Sequence, residues 1–276
     1  MNDVTTRLGD LLTGVDRLGV AFSGGVDSSV LLALAARALG PDRVVALLGV
    51  SPSLAAGERA AAHAVAGDLG VPVIEVTTRE MDRPGYRANG PDRCFHCKDE
   101  LFATIGDLPE EFDAIAYGEN ADDTRRPDRP GSRAATAHRV MRPLADLGLT
   151  KADVRRIARE LGLACADKPA SPCLASRIPH FTDVTADKLD QVERAEAALR
   201  RLGFTDLRVR HHGPVARIEL PAGELVHAVT EPLRTAVHAA VTAAGFRFAA
   251  VDLAGIQSGA FTLPLVASSS VEVAGA

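Results

Sequence analysis

The sequence predicts an α/β protein in which a domain with a parallel sheet is followed by a smaller α+β domain. Apolar runs typical of buried strands alternate with helical segments through the first half of the chain. After Pro179, segments with strict apolar and polar alternation surround a Gly213-Pro214 turn. We therefore expect a first domain at 1–180, a second at 181–266 and a disordered tail at 267–276.

The composition is that of a globular protein with an acidic balance. Of 276 residues, 46% are hydrophobic and 24% are charged, and the formal net charge is −5. Basic residues are spread along the chain, which argues against a nucleic-acid partner. No stretch is typical of a secretory signal or a membrane span, so we expect a cytoplasmic protein. Four cysteines then favour catalysis, metal binding or burial over disulfides, and we expect Cys165 to be buried.

Each predicted element of the first domain has a recognisable pattern. A helix covers the residues up to about 16, Gly40 ends the next helix, and Thr150 and Asp153 form a capping box. Continuous apolar strands of this kind form parallel sheets, whose ligands bind outside the carboxyl ends of the strands. The predicted strands are 18–22, 44–50, 73–76 and 114–117, and the other predicted helices are 54–69 and 150–161.

The second domain begins with a helix from Thr185 to Gly203. Strands at 207–210 and 215–220 form a hairpin, and 246–251 adds a strand, with no helix of the earlier kind between them. One face of the hairpin is charged, and it either clamps a phosphate or carboxylate or forms a solvated face with a cross-strand ion pair. Its residues are Arg208, Arg210, Arg217 and Glu219.

The first strand runs directly into Ser23-Gly24-Gly25-Val26-Asp27-Ser28-Ser29 at the start of a helix. Unpaired N–H groups and the helix dipole attract anions there, and glycines let the backbone approach a phosphate. The segment lacks the lysine of the Walker loop and the spacing of the dinucleotide fingerprint. It predicts a phosphate-binding loop of a third kind, and a strand–turn–helix junction with serine caps is the alternative.

Polar residues follow two further strands at the same edge of the predicted sheet. Ser51 follows the second strand and Gly118 follows the fourth. Asp122 and Asp123 come shortly after Gly118, and such carboxylates suit Mg²⁺, which prefers oxygen ligands. A polar turn with an aspartate cap is the alternative.

Three cysteines stand out by their sequence context. Cys173 occupies a loop bounded by prolines, with Lys168 and Arg177 nearby. Nearby cations favour the thiolate, which acts as a nucleophile or a metal ligand, whereas a buried structural cysteine is the alternative. Cys94 and Cys97 form a Cys-x-x-Cys pair, which is half of a metal site, and Cys173 is a candidate third ligand.

Together these segments resemble the LarE family of ATP-dependent sulfur transferases, which lies within the PP-loop ATP pyrophosphatases. The resemblance covers most of residues 18–220. The implied fold is a parallel-sheet, adenine nucleotide α-hydrolase-like PP-loop domain with a C-terminal domain for substrate binding and oligomerisation. The motifs occur in the family's order: SGGVDSS, RCFHCK, YGENADD followed by Arg129-Pro130-Gly131, GLTKADVRRIARELGL, KPASPCLASRI and LRVRHHGPVARIE.

The resemblance implies an enzyme of nickel-pincer nucleotide biosynthesis. A carboxylate of pyridinium-3,5-biscarboxylic acid mononucleotide would attack the α-phosphate of ATP, with Mg²⁺ present, and release pyrophosphate. Cys173 would then form a thioester, and C–S cleavage would leave sulfur on the product and dehydroalanine in the protein. Relatives with the additional Cys-x-x-Cys are thought to hold a [4Fe-4S] cluster through three cysteines. Here these would be Cys94, Cys97 and Cys173, so whether Cys173 is consumed stays open.

The same resemblance assigns residue roles, and with it we expect a homo-oligomer. Asp27 and Cys173 would be catalytic. Ser176, Arg177, Arg208 and Arg210 would hold the phosphate and carboxylates of the substrate. ATP would contact Ser23, Gly24, Gly25, Asp27, Ser28, Ser29, Ser51, Gly118 and Asp123.

Other function classes stay open at this point. A tRNA thiolation enzyme would also combine a PP-loop with cysteines, but it needs a basic RNA surface, which the acidic balance disfavours. Another ATP-dependent adenylating enzyme would share the loop. A nucleotide-binding module without catalysis would need the loop but neither Cys173 nor the charged strand.

Overall fold

The computed structural model describes residues 2–125, 131–257 and 261. The chain divides into two compact units, Met1–Arg83 with Cys94–Ser171 and Pro84–Arg93 with Pro172–Ala276. The domain limits that we expect at residues 180 and 266 stay a prediction. The expected tail at 267–276 lies outside the described residues, as do Arg129 and Pro130 of the motif quoted above.

Parallel strands form the sheet of the first unit, in the order β3-β2-β1-β4. This confirms the predicted parallel sheet and all four of its strands. The carboxyl ends of neighbouring strands share one edge, which therefore carries the phosphate-binding loop, Ser51 and Gly118. The strands are β1 (Leu18–Phe22), β2 (Val44–Val50), β3 (Val73–Thr77) and β4 (Ala114–Tyr117).

Helices connect these strands and continue into the second unit. The five predicted helices are confirmed, and among the described residues the structure adds six that the sequence patterns did not predict, four before Thr150 and two after Gly203. The helices are α1 (Asn2–Leu11), α2 (Val26–Leu39), α3 (Ala56–Asp68), α4 (Pro84–Arg87), α5 (Arg93–Gly106), α6 (Gly131–Ala137), α7 (Pro143–Asp146), α8 (Lys151–Glu160), α9 (Ala186–Arg201), α10 (Leu225–Ala228) and α11 (Leu233–Ala243).

Helix α2 begins at the phosphate-binding loop, and most of its residues are buried. Residues 30–35 contain no polar side chain, so this part of the helix is stable only inside the protein. It packs between α1 and α8 and against β1, and Val30, Leu31 and Leu34 are fully buried. Burial on all sides fixes the N-terminus of α2 at the sheet edge.

The second unit contains a three-stranded mixed sheet. Strands β5 (Arg208–His212) and β6 (Val215–Glu219) form the predicted antiparallel hairpin, and β7 (Phe248–Val251) pairs with β6 in parallel. The expectation of strands without helices between them is wrong, because α10 and α11 lie between β6 and β7. A parallel pair needs such a crossover, whereas a hairpin does not.

Among the described residues, no helix combines the length and apolar character needed to span a membrane.

Gly118 lets the chain after β4 lie directly against the start of α2. A Cβ atom on residue 118 would lie 2.6 Å from the backbone nitrogen of Ser28 and 2.7 Å from the carbonyl carbon of Asp27. Backbone atoms cannot rotate away as a side chain would. Glycine is therefore required here by close packing.

We predict that Gly118→Ala lowers the free energy of unfolding by about 1–3 kcal/mol, because β4 and α2 must separate. Urea denaturation measures the change. Gly67→Ala is the matched control, since a Cβ atom on that residue of α3 would meet nothing within 4 Å. That variant should keep or gain stability, by up to about 1 kcal/mol. Equal effects of the two changes would contradict the packing argument.

Candidate functional site

The loop between β1 and α2 has the conformation that a phosphate site needs. Gly24 has a φ of +68°, and a Cβ atom there would lie 2.9 Å from the Cα atom of Ala62. Conformation and space both require glycine at this position. Gly25 is the N-cap residue of α2, and no side chain among the described residues caps this helix. The N–H groups of its first turn are therefore available to an anion.

The serines of this loop differ in their hydrogen bonds. Ser28 Oγ donates to the carbonyl oxygen of Gly25 at 3.0 Å and accepts from the backbone N–H of Ser23 at 3.3 Å. These bonds hold the loop closed. Ser29 Oγ is buried and has no hydrogen-bond partner among the described residues. A buried hydroxyl without a partner is costly, which is typical of a group that meets a ligand.

Asp27, in the first turn of α2, joins polar groups from distant parts of the first unit. Lys151 Nζ donates to Asp27 Oδ2. Asn120 Nδ2 donates to Asp27 Oδ1 at 3.1 Å and to Asp123 Oδ2 at 2.8 Å. Asp122 Oδ2 accepts from the backbone N–H of Lys151 at 2.8 Å. The two carboxylates of Asp27 and Asp123 thus share one amide group beside the loop.

This pair of carboxylates fits Mg²⁺. That ion is commonly held by one or two carboxylates together with the phosphates of a nucleotide and water. Among the described residues, no group of three or more His, Cys, Asp or Glu side chains could hold a metal by itself. A site with Asp27 and Asp123 would need the nucleotide to complete it.

Ser51, which follows β2, is bonded to a buried carboxylate. Glu80 Oε1 accepts from Ser51 Oγ and, at 2.9 Å, from Ser53 Oγ, and Oε2 accepts from Thr78 Oγ1 at 2.7 Å. Each of these hydroxyl groups uses its one hydrogen to donate to Glu80. Their oxygens then act as acceptors toward any further partner.

Cys173 lies in the second unit, directly before a short 3₁₀ helix that ends at Arg177, and it is exposed. Arg177 Nη1 donates to the carbonyl oxygen of Pro172 at 2.6 Å and to Ser176 Oγ at 3.0 Å. Nε and Nη2 of the same side chain bind both carboxylate oxygens of Glu196, at 2.8 and 3.3 Å. A buried ion pair therefore anchors the loop that carries the thiol.

The charged strand face of the hairpin is buried. Arg208 and Arg210 lie two residues apart on β5, and Arg210 binds both carboxylate oxygens of Glu219 at 2.9 and 2.8 Å. Arg210 also donates to the carbonyl oxygen of Ser176 at 2.9 Å. Burial and the positive charges of Arg177 and Arg210 lower the pKa of Arg208. The expected solvation of this face is therefore wrong, because Arg208, Arg210 and Glu219 are buried, whereas the cross-strand ion pair of the same alternative is confirmed between Arg210 and Glu219.

The remaining cysteines have different surroundings. Cys94 and Cys97 lie one turn apart near the start of α5, with Cys94 exposed and Cys97 partly buried. Residues three apart share one face of a helix. Cys165 is buried in the core of the first unit, as expected. The three-cysteine cluster stays a prediction.

Known proteins show which family this architecture represents. A family profile described as asparagine synthase matches residues 11–87, the part that contains the phosphate-binding loop. Pyridinium-3,5-bisthiocarboxylic acid mononucleotide synthase of Lactiplantibacillus plantarum is 33% identical over 249 residues, which are 90% of each chain. The chain belongs to the LarE family of ATP-dependent sulfur transferases. This confirms the resemblance, the PP-loop fold class and the expectation of an enzyme that uses ATP.

Two further relatives are similar to this chain over most of its length. An uncharacterized protein of Synechocystis sp. is 41% identical over 247 residues, which are 89% of this chain and 91% of its own. An uncharacterized protein of Methanocaldococcus jannaschii is 28% identical over 205 residues, which are 73% of this chain and 76% of its own. The similarity therefore covers both units.

Sequence reasoning missed several residues of this LarE-family site. Four residues that were not predicted each bind a predicted site residue. Asn120 and Lys151 bind Asp27, Glu80 binds Ser51, and Glu196 binds Arg177. Asn120 and Lys151 lie inside motifs that carried the resemblance, so a closer reading of YGENADD and GLTKADVRRIARELGL would have pointed to them. Glu80 and Glu196 lie outside the motifs and give no comparable signal.

We predict that Glu196→Gln destabilises the second unit strongly, because Arg177 stays buried after its counter-charge is removed. The carboxylate of Glu196 also accepts from Arg200 Nη2 at 2.9 Å and from the backbone N–H of Val209 at 3.0 Å. Removing one partner of a buried ion pair costs about 3–5 kcal/mol.

Asp190→Asn, on the same helix α9, is the matched control for this change. It removes an ion pair with Arg194 that is 2.8 Å long and largely exposed, and such a pair contributes about 0–1 kcal/mol. Urea denaturation followed by circular dichroism compares the two variants. A Glu196 variant no less stable than the Asp190 variant would show that Glu196 does not anchor the loop.

Proposed function

We propose that this LarE-family chain converts the carboxylates of pyridinium-3,5-biscarboxylic acid mononucleotide to thiocarboxylates, for synthesis of a nickel-pincer cofactor. The observation that carries the proposal is the similarity to the L. plantarum synthase along 90% of both chains. The phosphate-binding loop and the exposed Cys173 supply the two chemical functions that this reaction needs. We further propose that the protein works in the cytoplasm as a homo-oligomer, without a nucleic-acid or membrane partner.

The first step is activation of a substrate carboxylate by ATP, and residues of the first unit support this step. The N-terminus of α2 with Gly24, Gly25, Ser28 and Ser29 would bind the phosphates, while Ser51 and Gly118 flank them at the neighbouring strand ends. Mg²⁺, held by Asp27 and Asp123, would neutralise part of the phosphate charge. A substrate carboxylate oxygen forms a bond to the α-phosphorus, the bond to the bridging oxygen breaks, and pyrophosphate leaves.

Sulfur transfer follows from the thiol of the second unit. The thiolate of Cys173 attacks the acyl carbon of the adenylate, and AMP leaves with the electron pair of the broken C–O bond. Loss of the Cα proton with cleavage of the Cβ–Sγ bond then leaves a thiocarboxylate and dehydroalanine. We propose that four residues bind or position the anionic groups of the substrate: Ser176, Arg177, Arg208 and Arg210. Arg177 and Arg210 do so largely by fixing the loop that carries Cys173.

A [4Fe-4S] cluster held by Cys94, Cys97 and Cys173 is the proposed alternative source of sulfur. The support for it is the pair of cysteines one turn apart on α5, of which Cys94 is exposed and Cys97 is partly buried, since thiolates are the usual ligands of such clusters. No step above depends on the cluster.

We predict that Cys173→Ala still releases pyrophosphate in the presence of substrate but forms no thiocarboxylate, because activation precedes attack by the thiol. A pyrophosphate assay and mass spectrometry of the product measure the two steps separately. Cys165→Ala is the control, and it should retain both steps. Thiolated product from the Cys173 variant would remove this residue from the mechanism.

The mass of the protein after a single turnover distinguishes the two sources of sulfur. A consumed Cys173 leaves the protein lighter by one sulfur and two hydrogens. A protein of unchanged mass that has formed thiolated product would instead support the cluster. Anaerobic reconstitution with iron and sulfide should then give broad visible absorption, which a Cys94→Ala variant should lack.

We predict that Arg208→Ala weakens binding of the mononucleotide substrate by roughly ten- to a hundredfold, since a charged hydrogen bond contributes about 1.5–3 kcal/mol. Its affinity for ATP should change little. Arg247→Ala removes an exposed arginine of the same unit and serves as the control. Isothermal titration with each ligand gives both affinities, and an unchanged substrate affinity would exclude Arg208 from the substrate site.

A further inference from the structure

A short segment from the first half of the chain belongs to the second unit. The chain leaves the first unit after Arg83, and Pro84–Arg93 forms part of the second unit before the first unit resumes at Cys94. This segment contains the short helix α4 and ends at the first residue of α5. Because Cys173 lies in the same unit, the segment is able to hold the loop that carries the thiol.

Asn89 makes most of the contacts of this segment. Its side chain is fully buried, and Nδ2 donates to three carbonyl oxygens, those of Ile178 at 3.2 Å, Pro179 at 2.7 Å and Thr182 at 3.0 Å. The carbonyl oxygen of Asn89 accepts from the backbone N–H of Phe181 at 3.2 Å. One residue thus holds the stretch of chain that follows the 3₁₀ helix beside Cys173.

The backbone conformation of Asn89 restricts which residue can take this place. Its φ is +55°, in the left-handed region that residues with a Cβ atom mostly avoid. Asparagine is among the few side chains that enter this region readily, and its amide also supplies the buried donor. Conformation and hydrogen bonding therefore both favour asparagine at position 89.

Arg93 extends the contact to the 3₁₀ helix itself. Its side chain is buried, and Nη1 donates to Asn89 Oδ1 and, at 3.0 Å, to the carbonyl oxygen of Ala175. Ala175 is two residues after Cys173. The 3₁₀ helix is therefore held by Arg93 as well as by the buried ion pair of Arg177 described above.

We propose that Asn89 and Arg93 are positioning residues for Cys173, and that they hold its sulfur in the orientation needed to attack the acyl-adenylate. The proposal deepens the proposed function and rests on it, because it takes Cys173 to be the nucleophile. Water competes with the thiol for the same acyl carbon. When the oxygen of water attacks, AMP leaves with the electron pair of the broken C–O bond, the substrate carboxylate is regenerated and protons are released. A misplaced thiol should therefore reduce sulfur transfer without reducing release of pyrophosphate.

The test measures the thiocarboxylate formed per pyrophosphate released in the first turnover. Asn89→Gly accepts the same φ but loses the amide, and it should lower this ratio by roughly ten- to a hundredfold, since small displacements of a reacting group cost this much. Arg93→Met should lower the ratio too, and Arg93→Lys, which keeps the charge, should recover part of the loss. Arg194→Met removes an exposed ion pair of the same unit and should keep the ratio of the parent.

Alkylation of Cys173 by iodoacetamide distinguishes a positioning role from damage to the fold. Cys173 is exposed, so each variant should be alkylated there, and should release pyrophosphate, at close to the rates of the parent. Mass spectrometry of the peptide that contains Cys173 follows the alkylation. If all three measurements fall together, Asn89 and Arg93 only support the fold, and the proposal is wrong. If Asn89→Gly does not fold, the same measurements on Arg93→Lys decide.

The remaining outcomes separate this proposal from the proposed function. A parent that forms thiocarboxylate, with variants that keep its ratio, would overturn the positioning role alone. Thiocarboxylate formed while Cys173 keeps its sulfur would also overturn that role and would favour the cluster. A parent that forms no thiocarboxylate from the mononucleotide would overturn both.

Discussion

Contact between the chain after β4 and the first turn of α2 is the constraint on which the site depends. No side chain separates the two segments, since residue 118 is glycine and the next atoms are the backbone of Asp27 and Ser28. This contact brings Asn120 within reach of Asp27 and, through the hydrogen bond of Asp122, brings the start of α8 to the same place. The loop by itself does not define a site, and two segments that are remote in sequence converge on it and supply further charged groups.

Much of the fold could be predicted because burial on both faces leaves a clear pattern. Strands β1 and β2 are continuous apolar runs, and the glycines of the loop directly follow β1 at the point where a ligand would bind. Helix α11 could not be predicted in the same way. Its segment is rich in alanine, which has little contrast between a buried and an exposed face, and the parallel pairing of β6 with β7 is a tertiary choice that no local pattern encodes.

The same distinction separates the residues of the candidate site that could be predicted from those that could not. Residues that directly follow a strand, such as Ser51 and Gly118, could be found because topology places all strand ends at one edge. Residues that reach the site from a distance could not, since nothing in the sequence states that positions 93 or 124 residues apart will meet. The arginines of β5 show the opposite problem. Their alternation is visible in the sequence, but only the structure shows that Glu219 pairs with Arg210 inside the protein, as Glu196 does with Arg177.

In the part of the chain that the structure describes, the hydrogen bonds that hold the loop of Cys173 use atoms other than its sulfur. Arg177 holds the carbonyl oxygen of Pro172, and the backbone N–H of Ser176 donates to the carbonyl oxygen of Cys173 at 2.9 Å. Among the described residues, no hydrogen bond involving the sulfur supports the 3₁₀ helix that begins there. The atoms that hold the loop are therefore different from the sulfur atom that would react. If the sulfur leaves as the proposed reaction requires, these hydrogen bonds of the loop are kept, and loss of the thiol does not by itself release the loop.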